Sequence, residues 1–150
     1  MDQYPVMVVS SDLENRRGVA RMLRDQGFEP VSAASVNECR EILDQHEMRV
    51  IFCDRDLHDG DYRDILASAF YAPQKDKAQV VLMSALMRPE DYQEARRAGI
   101  FDVVGLPCRP TNLEWAIILA KRDERNRAKE LLGIPSGSPS RAKVAVAGVR

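Results

Sequence analysis

The chain has 150 residues and a mass of 16.9 kDa, the size of one ordinary domain, long enough to bury roughly 70% of its unfolded surface; a second globular domain is not expected. With 45% hydrophobic and 30% charged residues it falls outside the disordered, collagenous and membrane classes. Net charge is -1, but residues 1–120 carry 14 basic and 20 acidic side chains (net -6) against 8 and 3 (net +5) in 121–150, an acidic body that argues against a nucleic-acid-binding core.

The opening MDQYPVMVVSS has an acid at Asp2 and no basic leader, and no apolar run approaches the roughly 18 residues of a bilayer span, so no membrane association and a cytoplasmic location are expected. Five short apolar segments then read as strands: 6–10, 29–33, 49–53, 79–83 and 101–105. Several are continuous apolar runs, as strands covered on both faces require. Between them lie segments of helical spacing, with Val19, Met22 and Leu23 in the first and Val36, Cys39, Ile42 and Leu43 in the second. The third (61–72), fourth (89–98) and fifth (111–132) are less regular.

Ser11 to Glu14, Ser35 to Glu38 and Thr111 to Glu114 each fit the capping-box spacing, and Gly27 and Gly99 stand where the first and fourth helices should stop. Five strand-helix alternations predict an α/β fold, a parallel sheet with right-handed crossovers and helices on both faces. Ligands of such folds bind at the carboxyl ends of the strands.

Domain organisation follows from the change past residue 120. KRDERNRAKE is strongly charged and prolongs the fifth helix as a solvated extension over 121–133, because the stripe of Leu113, Ala116, Ile117 and Ala120 does not continue through it. Residues 134–150 are rich in Gly, Pro and Ser and read as a flexible tail, with a strand by KVAVAGV against a partner's edge as the other reading. Cys39, Cys53 and Cys108 are odd in number and unpaired in spacing, so buried free thiols are expected rather than a metal or redox site.

The third strand ends in a burst of acid, Cys53-Asp54-Arg55-Asp56-Leu57-His58-Asp59-Gly60-Asp61. Asp59, Gly60 and Asp61 read as a turn and an acidic helix start. Asp54 differs, because it closes a buried strand at the crevice where ligands of this architecture bind.

Residues 5–120 resemble a receiver domain of the bacterial two-component response regulators, and the matches are spread along the chain. VMVVSSDLENRR is similar to that family's first strand and loop, VIFCDRDLHDGDY to its third strand, VVLMSA to its fourth, and AGIFDVVGLPCRPTNLEWAI to its last strand, Pro peptide and fifth helix. The resemblance implies a flavodoxin-like (βα)5 fold with strand order 2-1-3-4-5. It also implies phosphoryl transfer from a histidine kinase to an aspartate with Mg²⁺ shielding the charge, and a partner or homodimer face made of helix 4, strand 5 and helix 5.

Position by position, Asp54 matches the phosphoacceptor, Ser84 the hydroxyl switch, and Asp56 the residue whose backbone carbonyl reaches the metal. Leu106-Pro107 is similar to the family's cis peptide. Other positions depart. Ser10 and Ser11 stand where the family has two adjacent acids, leaving Asp12 alone beside Asp54 and Asp56 as a weak metal set. Leu106 stands at the family lysine, and a charge pair lost near 4 Å is worth up to about 4 kcal/mol at an effective dielectric near 20. Val103 stands at the aromatic switch, and Phe101, two residues earlier on the same expected strand face, is a weak substitute.

His58 reads as an exposed loop histidine, with a ligand or proton donor as the other reading; Trp115 reads as packing rather than a partner hot spot. Asp54-Arg55-Asp56 is also similar to the nucleophile and acid of haloacid-dehalogenase-like phosphatases, but that motif belongs on a first strand and wants a hydroxyl where His58 stands. A calcium loop starting at Asp54 needs Gly where Asp59 stands. A DNA-binding regulator finds no output domain after residue 120. Phosphate on Asp54 would add roughly -1.5 to -2 charges to a pocket without its lysine. The expectation is therefore a degenerate receiver, a signalling module rather than an enzyme, weakly phosphorylated or phosphorylation-independent, that works by binding a histidine kinase or other signalling protein. The competing reading is a working phosphoacceptor with Mg²⁺.

Overall fold

The computed structural model describes residues 4–85 and 87–133; the tail expected over 134–150, with its KVAVAGV stretch, lies outside the described residues. In chain order the elements are β1 (Val6–Val9), α1 (Leu13–Asp25), β2 (Val31–Ala33), α2 (Val36–Gln45), β3 (Val50–Asp54), β4 (Asp56–Leu57), β5 (Gly60–Asp61), α3 (Tyr62–Tyr71), β6 (Gln79–Ser84), α4 (Pro89–Ala98), β7 (Asp102–Gly105) and α5 (Pro110–Leu131). Five strands form one parallel sheet in the order β2-β1-β3-β6-β7, the arrangement expected, while β4 and β5 form a separate antiparallel ribbon. Strands of two residues fall below any periodic signal, so the ribbon is not legible in the sequence.

The sheet is covered on both faces, which is why its central strands are apolar at successive positions. Met7, Val9, Ile51, Cys53 and Leu82 face α2, α3 and α4 through Cys39, Leu43, Ile65, Ala69 and Ala95. Val6, Val8, Phe52, Val81 and Met83 face α1 and α5 through Val19, Leu23, Leu113, Ala116 and Ile117. Each fully buried Val, Leu, Ile or Phe contributes about 1.5–3 kcal/mol relative to exposure, so these two layers dominate the stability.

Helix ends follow local chemistry, with two corrections. Ser35 caps α2 by accepting from the Glu38 N–H as its spacing predicts, and Gly27 and Gly99 end α1 and α4 with φ of 94° and 118°. The cap of α1, however, is Asp12, because the Ser11 hydroxyl is taken by the Ala34 carbonyl. In α5 Thr111 lies inside the helix: Arg109 is the cap residue and Pro110 opens the first turn, where its missing N–H costs nothing. A full capping box does form at α3, between Asp61 and Asp64.

Helix α5 continues past residue 120 and is tied to the body there. Gln79 Nε2 donates to Asp123 at 2.6 Å, the Tyr4 hydroxyl donates to Glu124 at 3.0 Å, and the Lys121 ammonium lies over the Tyr4 ring. Its first extra turn is thus anchored rather than freely solvated. All three cysteines are buried free thiols; burial pushes Cys39 up to about 12 and Cys108 up to about 11, which keeps both protonated at neutral pH.

Candidate functional site at the carboxyl edge of the sheet

Parallel pairing brings the ends of β1, β3, β6 and β7 to one edge. Cys53 pairs with Val9 and Asp54 with Met83, so Asp54 emerges between Ser10, which follows β1, and Ser84, which ends β6 and is buried. The Ser10 backbone N–H bonds to the Ala33 carbonyl at 3.0 Å, fixing that residue where its side chain is fully buried.

Asp54 is half-buried, and both carboxylate oxygens accept hydrogen bonds. The Ser10 hydroxyl donates to Oδ2 at 2.6 Å and the Asn15 amide donates to Oδ1 at 3.0 Å. The Ser10 oxygen in turn accepts from the Asp12 backbone N–H at 3.2 Å and from the Asn15 amide at 3.3 Å. Arg16 holds the backbone here by donating to the Ser10 carbonyl at 2.8 Å. Burial raises the Asp54 carboxyl above its ordinary value and the Asp12 charge adds to the rise, while the Ser10, Asn15 and Ser11 donors pull it back.

Of the positions singled out in the sequence, the structure gathers Ser10, Asp54 and Ser84 at the crevice. Ser11 faces another way: its hydroxyl donates to the Ala34 carbonyl at 2.9 Å and accepts from the His58 N–H at 3.1 Å, linking the loops after β1 and β2 to the β4–β5 ribbon. His58 itself is exposed. Asp12 spends its Oδ1 on the Glu14 N–H at 3.0 Å as the cap of α1. Asp56 is exposed on the ribbon, opposite Asp61. The Leu106-Pro107 peptide is cis, and Leu106 packs on the α1/α5 core layer as an apolar residue should.

Two expectations are corrected. Phe101 precedes β7 and is buried in the α1/α5 layer, whereas Val103 packs against the opposite one; the even-offset argument fails because Phe101 lies outside the pleated strand. Trp115 is 54% exposed, since the α5 stripe that faces the sheet runs through Leu113, Ala116, Ile117 and Ala120.

Asn15 was not singled out in the sequence. Its signal is positional: extended backward by one turn, the α1 stripe of Val19 and Leu23 lands on Asn15, a polar residue on the face that points into the fold. Asp59, Asp61 and Asp64, by contrast, do helix-end work. Asp59 accepts from the backbone N–H groups of Val36 and Asn37 at 2.8 and 3.0 Å, and these bonds lower its carboxyl from the ordinary value.

The donor set does not suit Mg²⁺, a hard cation that wants several charged or carbonyl oxygens facing one point. Two hydroxyls replace two carboxylates, both Asp54 oxygens accept from neutral donors, and Asp12 serves a helix cap. Among the described residues no group of three or more His, Cys, Asp or Glu side chains is placed to hold a metal ion. Nor is any helix among them long and apolar enough to cross a membrane.

Comparison with known proteins agrees with this architecture. The family model of the response regulator receiver domain matches residues 6–118. A 14.6 kDa protein from the sodA1 3′ region of Leptolyngbya boryana is 24% identical over 111 residues, covering 74% of this chain and 85% of that protein. Chemotaxis response regulator CheY4 of Vibrio cholerae superposes with a TM-score of 0.72 at 19% identity, over 79% of this chain and 99% of that one. A CheY-like receiver domain protein from Methanospirillum hungatei gives 0.66 at 18%, over 86% and 98%. At these identities the structural likeness is one of fold.

Proposed function

We propose, from the premise that this chain belongs to the response regulator receiver domain family of two-component signalling, that it is an atypical cytoplasmic receiver acting by protein-protein interaction, with little or no phosphorylation of Asp54. The observation that carries this reading is the Ser10 hydroxyl on Asp54 at 2.6 Å, in the place of an acid that would help to hold a metal. Leu106 supports it from the other side of the crevice, because an alkyl side chain offers no charge to a phosphoryl oxygen. An anionic phosphoryl group approaching the Asp54 carboxylate would meet hydroxyls, an amide and a leucine, and electrostatic stabilisation is most of what phosphoryl transfer needs.

Partner binding, homodimerisation included, falls in this reading on the face of α4, β7 and α5. Trp115 and Ile118 on α5 are exposed apolar side chains, the residue types that partner surfaces use. Histidine kinases and other signalling proteins are the partner class, and neither specific nucleic acid nor membrane is among them.

A working phosphoacceptor is the second reading, favoured by the placement of Asp54 and Ser84 on adjacent strand ends with Ser84 as its hydroxyl switch. Intact-mass measurement after incubation with acetyl phosphate and Mg²⁺ separates the two, with Asp54→Asn as control. An unchanged mass is expected. A phosphoryl adduct that vanishes in the control establishes the second reading instead.

A further inference from the structure

We propose that Asn15 is a positioning residue for Asp54: with Ser10 it forms a metal-independent hydrogen-bond lock that holds the carboxylate in one orientation and takes the part an ion would otherwise play. The inference deepens the metal-free reading above but stands on its own geometry. Asn15 and Ser10 donate to different oxygens of the same carboxylate, at 3.0 and 2.6 Å, and the Asn15 amide also reaches Ser10 at 3.3 Å, so the three side chains close a ring. Ser10 is fully buried and Asp54 half-buried, which makes each donor count for more than it would in water.

The chemistry of the donors defines the lock. A carboxylate in a crevice needs donors for its oxygens, and a cation or hydrogen bonds can meet that need. An amide and a hydroxyl carry no net charge, so they satisfy Asp54 without building the positive field that would draw in a phosphoryl group. Asn15 is placed for this by α1: Asp12 caps the helix, Asn15 follows three residues later in the first turn, and its amide reaches Asp54 at the end of β3.

A role through Asp54 differs from a role in filling space, and near-isosteric exchange distinguishes them in the full chain. Asn15→Asp replaces the amide donor with a second carboxylate against Asp54. In the wild-type background this should lower the folded-to-unfolded ratio, read from urea unfolding, by about tenfold or more, the scale of a bond to a charged group. In the Asp54→Asn background the pair is merely exchanged, an amide at 54 can donate to the carboxylate at 15, and the cost should fall within about twofold of none. A chain that folds only in the second background is the same result in extreme form. Equal costs in the two backgrounds overturn the lock, because a residue that only fills space is indifferent to the charge at 54; Asn15→Ala in both backgrounds repeats the comparison without a new charge. Phosphorylation of the wild-type chain would end the phosphorylation-independent reading while leaving this coupling intact, so the two failures are distinguishable.

Discussion

Asp54 and the acids that follow it lie within one short stretch of chain, yet they sit in opposite electrostatic situations. Asp59 and Asp61 accept from backbone N–H groups at the starts of α2 and α3, where the helix dipole favours negative charge, and Asp59 is held below its ordinary value. Asp54 accepts from two side chains in a crevice, and burial holds it above. One residue type therefore serves as a helix cap in one place and as a partly desolvated charge a few residues away. The acid-rich appearance of the segment is largely architecture, while the Asp54 carboxylate is held by two side chains, Ser10 just after β1 and Asn15 in α1.

The comparison can be broken most forcefully at its donors. Ser10→Ala removes the hydroxyl from Asp54 and should cost about 2 kcal/mol, the range for a hydrogen bond to a charged group, measured by urea unfolding. Asp61→Ala removes the cap of α3 and should cost about 1 kcal/mol by the same assay. If the second loss exceeded the first, the ranking of crevice over caps would be reversed. Gly60→Ala sharpens the architectural side: a methyl there would sit 2.3 Å from the Asp64 Oδ2 that accepts from the Asp61 N–H at 3.0 Å, so a loss of similar size to Asp61→Ala is expected.

Smaller effects appear in the pH dependence, with opposite signs. The Asp59 carboxyl is lowered in the fold, so its contribution is present above the unfolded value near 3.9 and is lost as pH falls through the folded value. The stability difference between wild type and Asp59→Asn should shrink on acidification. The Asp54 carboxyl is raised, so the folded chain binds its proton more tightly than the unfolded chain does. Its penalty is absent at low pH and grows as pH rises from near 3.9 through the folded value, and Asp54→Asn should melt higher than wild type at neutral pH. Thermal melts at several pH values check both, and parallel curves for the two variants would contradict the assignment.

Much of the fold was legible because burial on both faces writes strands as apolar runs: Val6 to Val9 and Val80 to Met83 stand out without context. The end of α4 followed from Gly99. Ser11 and Thr111 misled as caps since the spacing rule cannot know that the loop after β2 claims one hydroxyl, or that Pro110 opens α5. Within the site, Asp54, Ser84, Leu106 and the cis peptide were readable through family resemblance. Asn15 was not, because its role arises only when α1 docks its first turn on the end of β3.

The most direct test of the proposal that the crevice works without a metal is calorimetric titration of the full chain with millimolar Mg²⁺, beside Asp54→Asn. No saturable heat in either protein is the expected result. Saturable binding by the wild type that disappears in the variant would contradict it, placing an ion on Asp54 where Ser10 and Asn15 are argued to stand in for one.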